Sequence, residues 1–216
     1  MRDLPLTAIQ LDAIRELGNV GAGNAATTLS DLLGKTVMID IPRVRSLSFE
    51  ETHLAAFPSQ AADTHIAVYS QIEGALKGGV YVFFSKKDSL LLSHALLKKD
   101  PSPSKPLTPI DISSLTESAY IFCCAYTRAV ADLLSLSQKI NPVISQITVV
   151  EDGRKEDATL IKKFIGGLHS AISIENKVTV EELNPSRNDG AGKINLSVIF
   201  FLETESAKKA LEILGL

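Results

Sequence analysis

Apolar residues recur at helical spacing from Ile9, Leu11 and Ile14 to Leu32 and Leu33. Thr7 and Gln10 form a capping box ahead of this run, and Gly34 supplies a stop behind it. The pattern predicts one long helix of about seven turns. Val37, Ile39 and Ile41 then alternate as a strand that Pro42 breaks. A short amphipathic piece follows around Glu50 to Phe57. Two further alternating runs, His65 to Ile72 and Gly78 to Phe84, meet at a turn near Glu73 and Gly74 and read as an antiparallel pair. Lys86 to Leu97 is a second, leucine-rich helix. Asp100 to Pro106 holds three prolines in seven residues and reads as a linker.

Beyond the linker the order recurs. Asp111 or Ser113 can cap a long helix running to Leu134, and Ile144 to Val150 reads as a strand. A polar helix from about Gly153 to Phe164 follows, with the stretch from Glu151 to Lys163 as a candidate partner surface or a solvated charged face. Leu168 to Ile174 and Lys193 to Leu202 are strand runs, Val178 to Leu183 offers one more, and Glu205 to Leu214 closes as a helix. Phe83-Phe84 ahead of Asp88-Ser89 matches Phe200-Phe201 ahead of Glu205-Ser206 at one constant offset. Repetition on this scale indicates two copies of one unit. The expectation is an α/β (α+β) fold with pseudo-twofold symmetry, one domain built from halves of about 1–100 and 107–216.

Within the first helix, Asp12, Glu16 and Asn19 are spaced by four and three. At about 100° per residue they share an arc of roughly 60°, a polar stripe with an acid and a carboxamide one turn apart. Gly18, Gly21 and Gly23 lie beside them. Each costs a helix about 1 kcal/mol relative to alanine, which implies close approach by another backbone. The stripe is either a solvated face over a tight helix contact or a site. In the second copy Ser113 takes the place of Asp12, Glu117 that of Glu16 and Tyr120 that of Asn19. A phenol cannot present both a carbonyl acceptor and an amide donor as a carboxamide does. This second stripe is a degenerate site, or Tyr120 packs the helix pair.

Composition narrows the chemistry. Over 216 residues the formal net charge is −3, so no basic field gathers nucleic acid or an anionic membrane. No basic-then-apolar opening or long apolar run is present, and a cytoplasmic protein is expected. The two cysteines, Cys123 and Cys124, are adjacent and read as small buried hydrophobes. His53, His65, His94 and His169 lack metal-ligand spacing, so no metal of the chain's own is expected.

Glutamate four residues after Asp12, asparagine three after that, and then a small-residue run resemble the CheC-type chemotaxis phosphatases, a family that includes CheX and FliY. The block from Glu16 to Ala26 carries the likeness, and the duplicated helix and strand order extend it over the chain. The resemblance implies a continuous antiparallel sheet carrying two long active-site helices. It implies hydrolysis of the aspartyl phosphate on a CheY-type response regulator, with Mg²⁺ held by that receiver domain and no cofactor on this chain. Asn19 would orient the attacking water and Glu16 would pair with the receiver's lysine. Asp12 would contact the receiver or serve the first turn of the helix. The deamidase CheD is a further candidate partner. FliM-type switch proteins share the implied fold without the catalytic pair, so a non-enzymatic adaptor or flagellar-switch module is the competing expectation. Gly21, Gly23 and Ala26 also fit a loose dinucleotide pattern, but a helix precedes them where that motif needs a strand.

Overall fold

A computed structural model describes residues 6–48, 65–99, 106–137, 140–150, 170–181 and 193–216. Within them the helices are α1 (Ala8–Leu33), α2 (Lys86–Leu96), α3 (Pro109–Leu133) and α4 (Thr204–Ile213). The strands are β1 (Val37–Ile39), β2 (Arg43–Ser48), β3 (His65–Gly74), β4 (Gly78–Ser85), β5 (Ile140–Val150), β6 (Ser170–Val180) and β7 (Ile194–Glu203). All pair antiparallel in one sheet, ordered β1-β6-β7-β4-β3-β5, with β2 also on β6. β1 and β2 lie end to end along the same edge of β6, facing Val178–Val180 and Ser170–Glu175. Together they fill one of six strand positions. The amphipathic piece at Glu50, the linker and the polar helix at Gly153 lie outside the described residues.

The sheet carries the repeat in its register. Tyr81 pairs with Ile199 and Val82 with Val198 at the centre of the β4–β7 ladder. The offset that relates Phe83 to Phe200 exchanges these two pairs, so a pseudo-twofold axis passes between them. About that axis β3 answers β6, and the β1–β2 edge answers β5. The first strand of each half therefore pairs with the hairpin of the other half. The terminal helices cross over as well. The Ser206 hydroxyl on α4 accepts from the Lys77 N–H at 2.8 Å, and Asp88 on α2 accepts from the Asn195 N–H at 3.0 Å. Each helix thus anchors the start of the other half's central strand.

Three expectations are corrected. The first strand is broken around Pro42 as expected, but an unforeseen second strand follows: the Asp40 N–H donates to the Lys177 carbonyl at 3.0 Å, and pairing with β6 resumes at Arg43. β5 begins at Ile140, ahead of Pro142, because an edge strand can point a missing N–H away from the ladder. The polar run Glu175-Asn176-Lys177 does not interrupt β6: all three residues pair with β7, Glu175 also pairs with Arg43 of β2 and lies 3.5 Å from Arg45, and the Lys177 carbonyl accepts from the Asp40 N–H. Ladder bonds on two sides outweigh a poor local strand signal.

Both long helices open on the same device. Thr7 and Gln10 cap α1 reciprocally, and Thr108 and Asp111 do so for α3 with Pro109 behind the cap. Thr108 is the cap that sequence assigned to Asp111 or Ser113; Asp111 serves it from the N3 position. The buried Asp111 carboxylate accepts from the Thr108 N–H at 2.9 Å and from the Thr108 hydroxyl at 2.5 Å, and Lys99 lies 3.3 Å away.

One face of the sheet packs under the helices in a core that includes Ile66, Val82, Ile174, Val198 and Phe200, with Ile14, Leu17, Leu115, Phe122 and Tyr126. The other face carries a buried aromatic cluster. Tyr81 stacks on Tyr69 at 4.6 Å between ring centroids and lies 5.6 Å from Phe83 and 5.8 Å from Phe201. A twofold axis normal to the sheet reverses any helix lying along it, so α1 and α3 run side by side in opposite directions. Their contact is tight at Gly21. A β-carbon there would stand 2.5 Å from Tyr126 Cε1, and one at Gly18 would stand 2.5 Å from Ile174 Cγ2. Two of the three helix glycines therefore admit side chains of the core, not a second backbone. Gly23 has nothing within 4 Å of that position and faces solvent.

Two outcomes follow from this packing. Gly21→Ala pushes against a ring fully buried and stacked on Phe200 at 4.9 Å, so it should cost about 1–3 kcal/mol in urea unfolding. Gly23→Ala meets no such ring and should gain up to about 1 kcal/mol from helix propensity. The second outcome concerns pH. Burial alone would raise the Asp111 carboxyl, but its bonds from Thr108 and the Lys99 ammonium prevail and hold it down at about 2. A depressed carboxyl contributes stability that is complete above the unfolded value of about 4 and is lost as pH falls through about 2. Thermal melts across that window should fall less steeply for Asp111→Asn than for the parent.

Candidate functional site

The site follows from how α1 is rotated about its axis. Its buried positions are Ile14, Leu17, Gly18, Gly21, Ala22, Ala25, Ala26 and Leu29. At about 100° per residue their arc is centred roughly 140° around the helix from Asp12, Glu16 and Asn19, and all three are exposed. The geometry joins two of them. Asn19 Nδ2 donates to Glu16 Oε2 at 3.1 Å, one turn back along the helix. That bond holds the carboxamide against the carboxylate, and Asn19 Oδ1 and Glu16 Oε1 take no part in it.

Asp12 belongs to a different pair. It forms an ion pair with Arg15 and remains 72% exposed at its side chain. The first turn of α1 contains no acid, so Asp12 does not serve there as sequence allowed. The Asp12–Arg15 spacing was legible as an i,i+3 charge pair; an exposed pair of this kind contributes little to stability.

The second stripe has a different chemistry. Ser113 and Glu117 are exposed on α3, while Tyr120 is half-buried. Cys124, one turn further on, lies close to the Tyr120 hydroxyl, and its influence, with burial and Glu117, pushes the phenol up. The phenol is thus turned along its own helix. Cys123 lies in the core with its thiol pushed far up by burial, as expected of a small hydrophobe; Cys124 is only half-buried. On α1 the position corresponding to Cys124 is Gly23, which leaves Asn19 no neighbour on that side.

Elsewhere, a cleft of about 550 Å³ lies beside the β1–β2 corner on the sheet face away from the helices. Arg43 and Lys177 oppose Asp40 and Glu175 there over a floor of Phe83 and Ile199. None of its lining comes from α1 or α3. Among the described residues, no three His, Cys, Asp or Glu side chains converge as a metal site, and no helix is long and apolar enough to cross a membrane.

The "CheC-like family" model matches residues 9–45, which span α1, β1 and the start of β2. The chain is 27% identical to the CheY-P phosphatase CheC of Bacillus subtilis (strain 168) over 142 residues, 65% of this chain and 66% of that protein. Thermotoga maritima FliY superposes with a TM-score of 0.72 at 19% identity, covering 97% of this chain and 98% of its own. Residues 9–45 are thus CheC-like in sequence. The middle domain of FliM from H. pylori shares the fold too, at a TM-score of 0.58 and 12% identity over 96% of this chain and 99% of that domain. The fold is therefore shared with both FliY and FliM, while part of the sequence aligns with a protein named as a CheY-P phosphatase. The aligned part of the B. subtilis relative falls just short of two thirds of its length.

Proposed function

We propose that this chain is a phosphatase for the aspartyl phosphate of a CheY-type receiver domain, acting in the cytoplasm as one CheC-like domain of two homologous halves. The observation that carries this reading is the exposed, hydrogen-bonded Glu16–Asn19 pair inside the segment matched by the CheC-like model. The acyl phosphate and its Mg²⁺ belong to the receiver, and this chain supplies no cofactor. α1 lays its stripe against the receiver, and Glu16 Oε1 pairs with the receiver's lysine. Asn19 Oδ1 accepts a hydrogen bond from the attacking water and so aims the water's oxygen lone pair at phosphorus, the water's protons remaining with the phosphate that forms. The P–O bond to the receiver's aspartate then breaks, releasing a carboxylate and inorganic phosphate. An acyl phosphate is already activated, so positioning the water supplies most of what is needed. Asp12, held by Arg15, lines the same surface. CheD is a candidate second partner.

The competing reading is a binding module without turnover, such as an adaptor or flagellar-switch component. The fold shared with FliM and the missing carboxamide at Tyr120 favour it. Retention of both Glu16 and Asn19 favours the phosphatase. The deciding experiment is the decay of a phosphorylated CheY-type receiver from the same organism with and without this protein. A decay rate that the protein leaves unchanged rejects the phosphatase.

Asn19→Ala should slow that decay about a hundredfold, roughly 3 kcal/mol, by analogy with the loss of one transition-state contact. Its urea midpoint should match the parent, because Asn19 is exposed and bonds only to Glu16. The asymmetry of the two stripes makes a further comparison. Glu16→Ala should remove nearly all turnover, whereas Glu117→Ala should leave single-turnover rates close to those of the parent, since Tyr120 cannot align a water as a carboxamide does. Equal losses from the two variants would make α3 a working site.

A further inference from the structure

Ile9 is 67% exposed in the first turn of α1, although the apolar pattern assigned it with Leu11 and Ile14. On the helix it falls within roughly 80° of Asp12, Glu16, Asn19 and Gly23, at the edge of their stripe beside Glu16. The exposed stripe thus has an apolar head, a polar middle and, at Gly23, a bare end with nothing within 4 Å. An isolated exposed isoleucine is unremarkable on a protein surface. This one recurs, since the offset that superposes Thr7 on Thr108 and Glu16 on Glu117 superposes Ile9 on Ile110, itself 56% exposed. The recurrence persists across a duplication in which Asp12 became Ser113 and Asn19 became Tyr120. Neither isoleucine is used by the core of its own helix.

We infer that Ile9 is an apolar anchor for the receiver domain, extending the contact surface of α1 one turn beyond Asp12. The inference rests on the proposed phosphatase reading and adds a binding residue to it. Ile9 stands ten residues, about 15 Å, back along α1 from Asn19, so as Asn19 reaches the phosphoryl group Ile9 would cover an apolar part of the receiver's surface that far from it. A polar stripe alone discriminates by charge and is weakened by salt. An apolar contact at its head adds affinity that salt does not screen and fixes how far along the helix the receiver sits. Ile9 touches no reacting atom. It positions the receiver and leaves the chemical step to Glu16 and Asn19.

The test uses the full chain and the same organism's CheY-type receiver, loaded with Mg²⁺ and beryllium fluoride as a stable stand-in for the phosphoryl group. Ile9→Ser should raise Kd about tenfold, the scale of covering much of an isoleucine side chain. With phosphorylated receiver it should raise KM by a similar factor and leave kcat at the parent value. The weakening should persist at high salt. Since Ile9 is exposed, the urea midpoint should not move, which separates lost docking from lost folding. An unchanged Kd in a parent that binds and hydrolyses the receiver overturns the anchor alone. A fall in kcat without a rise in KM also overturns it. Loss of self-association in Ile9→Ser, with receiver affinity intact, would instead assign the residue to a second copy of this chain. A parent that neither binds nor hydrolyses the receiver overturns the phosphatase reading together with the anchor.

Discussion

The contact between the Tyr126 ring and the bare backbone of Gly21 is the constraint on which the rest of the arrangement depends. Tyr126 is fully buried and stacks on Phe200 of β7, so its ring is fixed by the sheet below it. α1 can lie against α3 at that depth only if the residue facing the ring has no side chain. Gly18, one turn earlier, lets the same helix settle on Ile174 of β6. Together these contacts set both the height of α1 over the sheet and its rotation. Rotation decides which residues face solvent, so the outward aim of Glu16 and Asn19 is a consequence of packing on the opposite side of the helix.

The sheet supplies the rigid base for that packing. Because the first strand of each half pairs with the hairpin of the other, neither half can complete its own share of the sheet. The caps given by Asp88 and Ser206 across the halves tie the terminal helices into the same exchange. The long helices are related by the axis through the β4–β7 ladder, so a stripe on α1 has a counterpart on α3 facing outward by the same logic. Symmetry of the frame does not enforce symmetry of the chemistry. A frame held by core contacts leaves the exposed residues free to diverge, and Asn19 and Tyr120 have done so.

Much of this was written in local patterns. The capping box at Thr7, the seven-turn apolar period, the alternation of β3, β4 and β7 and the recurrence of Phe-Phe before a helix cap gave the class of fold and the two-copy organisation. The spacing of Asp12, Glu16 and Asn19 placed three polar groups on one arc, because helical geometry alone relates residues three and four apart. The same periodicity places Ile9 about 20° beyond that arc, although an isoleucine near the start of an apolar run is easily assigned to the core. What failed were elements whose local signal is weak. β2 follows a proline, β5 contains one and β6 carries three polar residues at its middle; each is held by ladder partners distant in sequence.

The sequence by itself determined the four described helices, the strands with clear alternation, the repeat and the residues that could share a helix face, since all of these follow from short-range spacing. Only the tertiary structure decided the strand exchange between halves and which glycines carry a neighbouring side chain. It alone separated the outward Glu16–Asn19 pair from a Tyr120 turned along its helix toward Cys124. The physical reason is that each depends on a partner brought close by the fold. Tyr126 meets Gly21, Ile174 meets Gly18 and β5 meets β3 across long stretches of chain, and no local period encodes who will stand opposite.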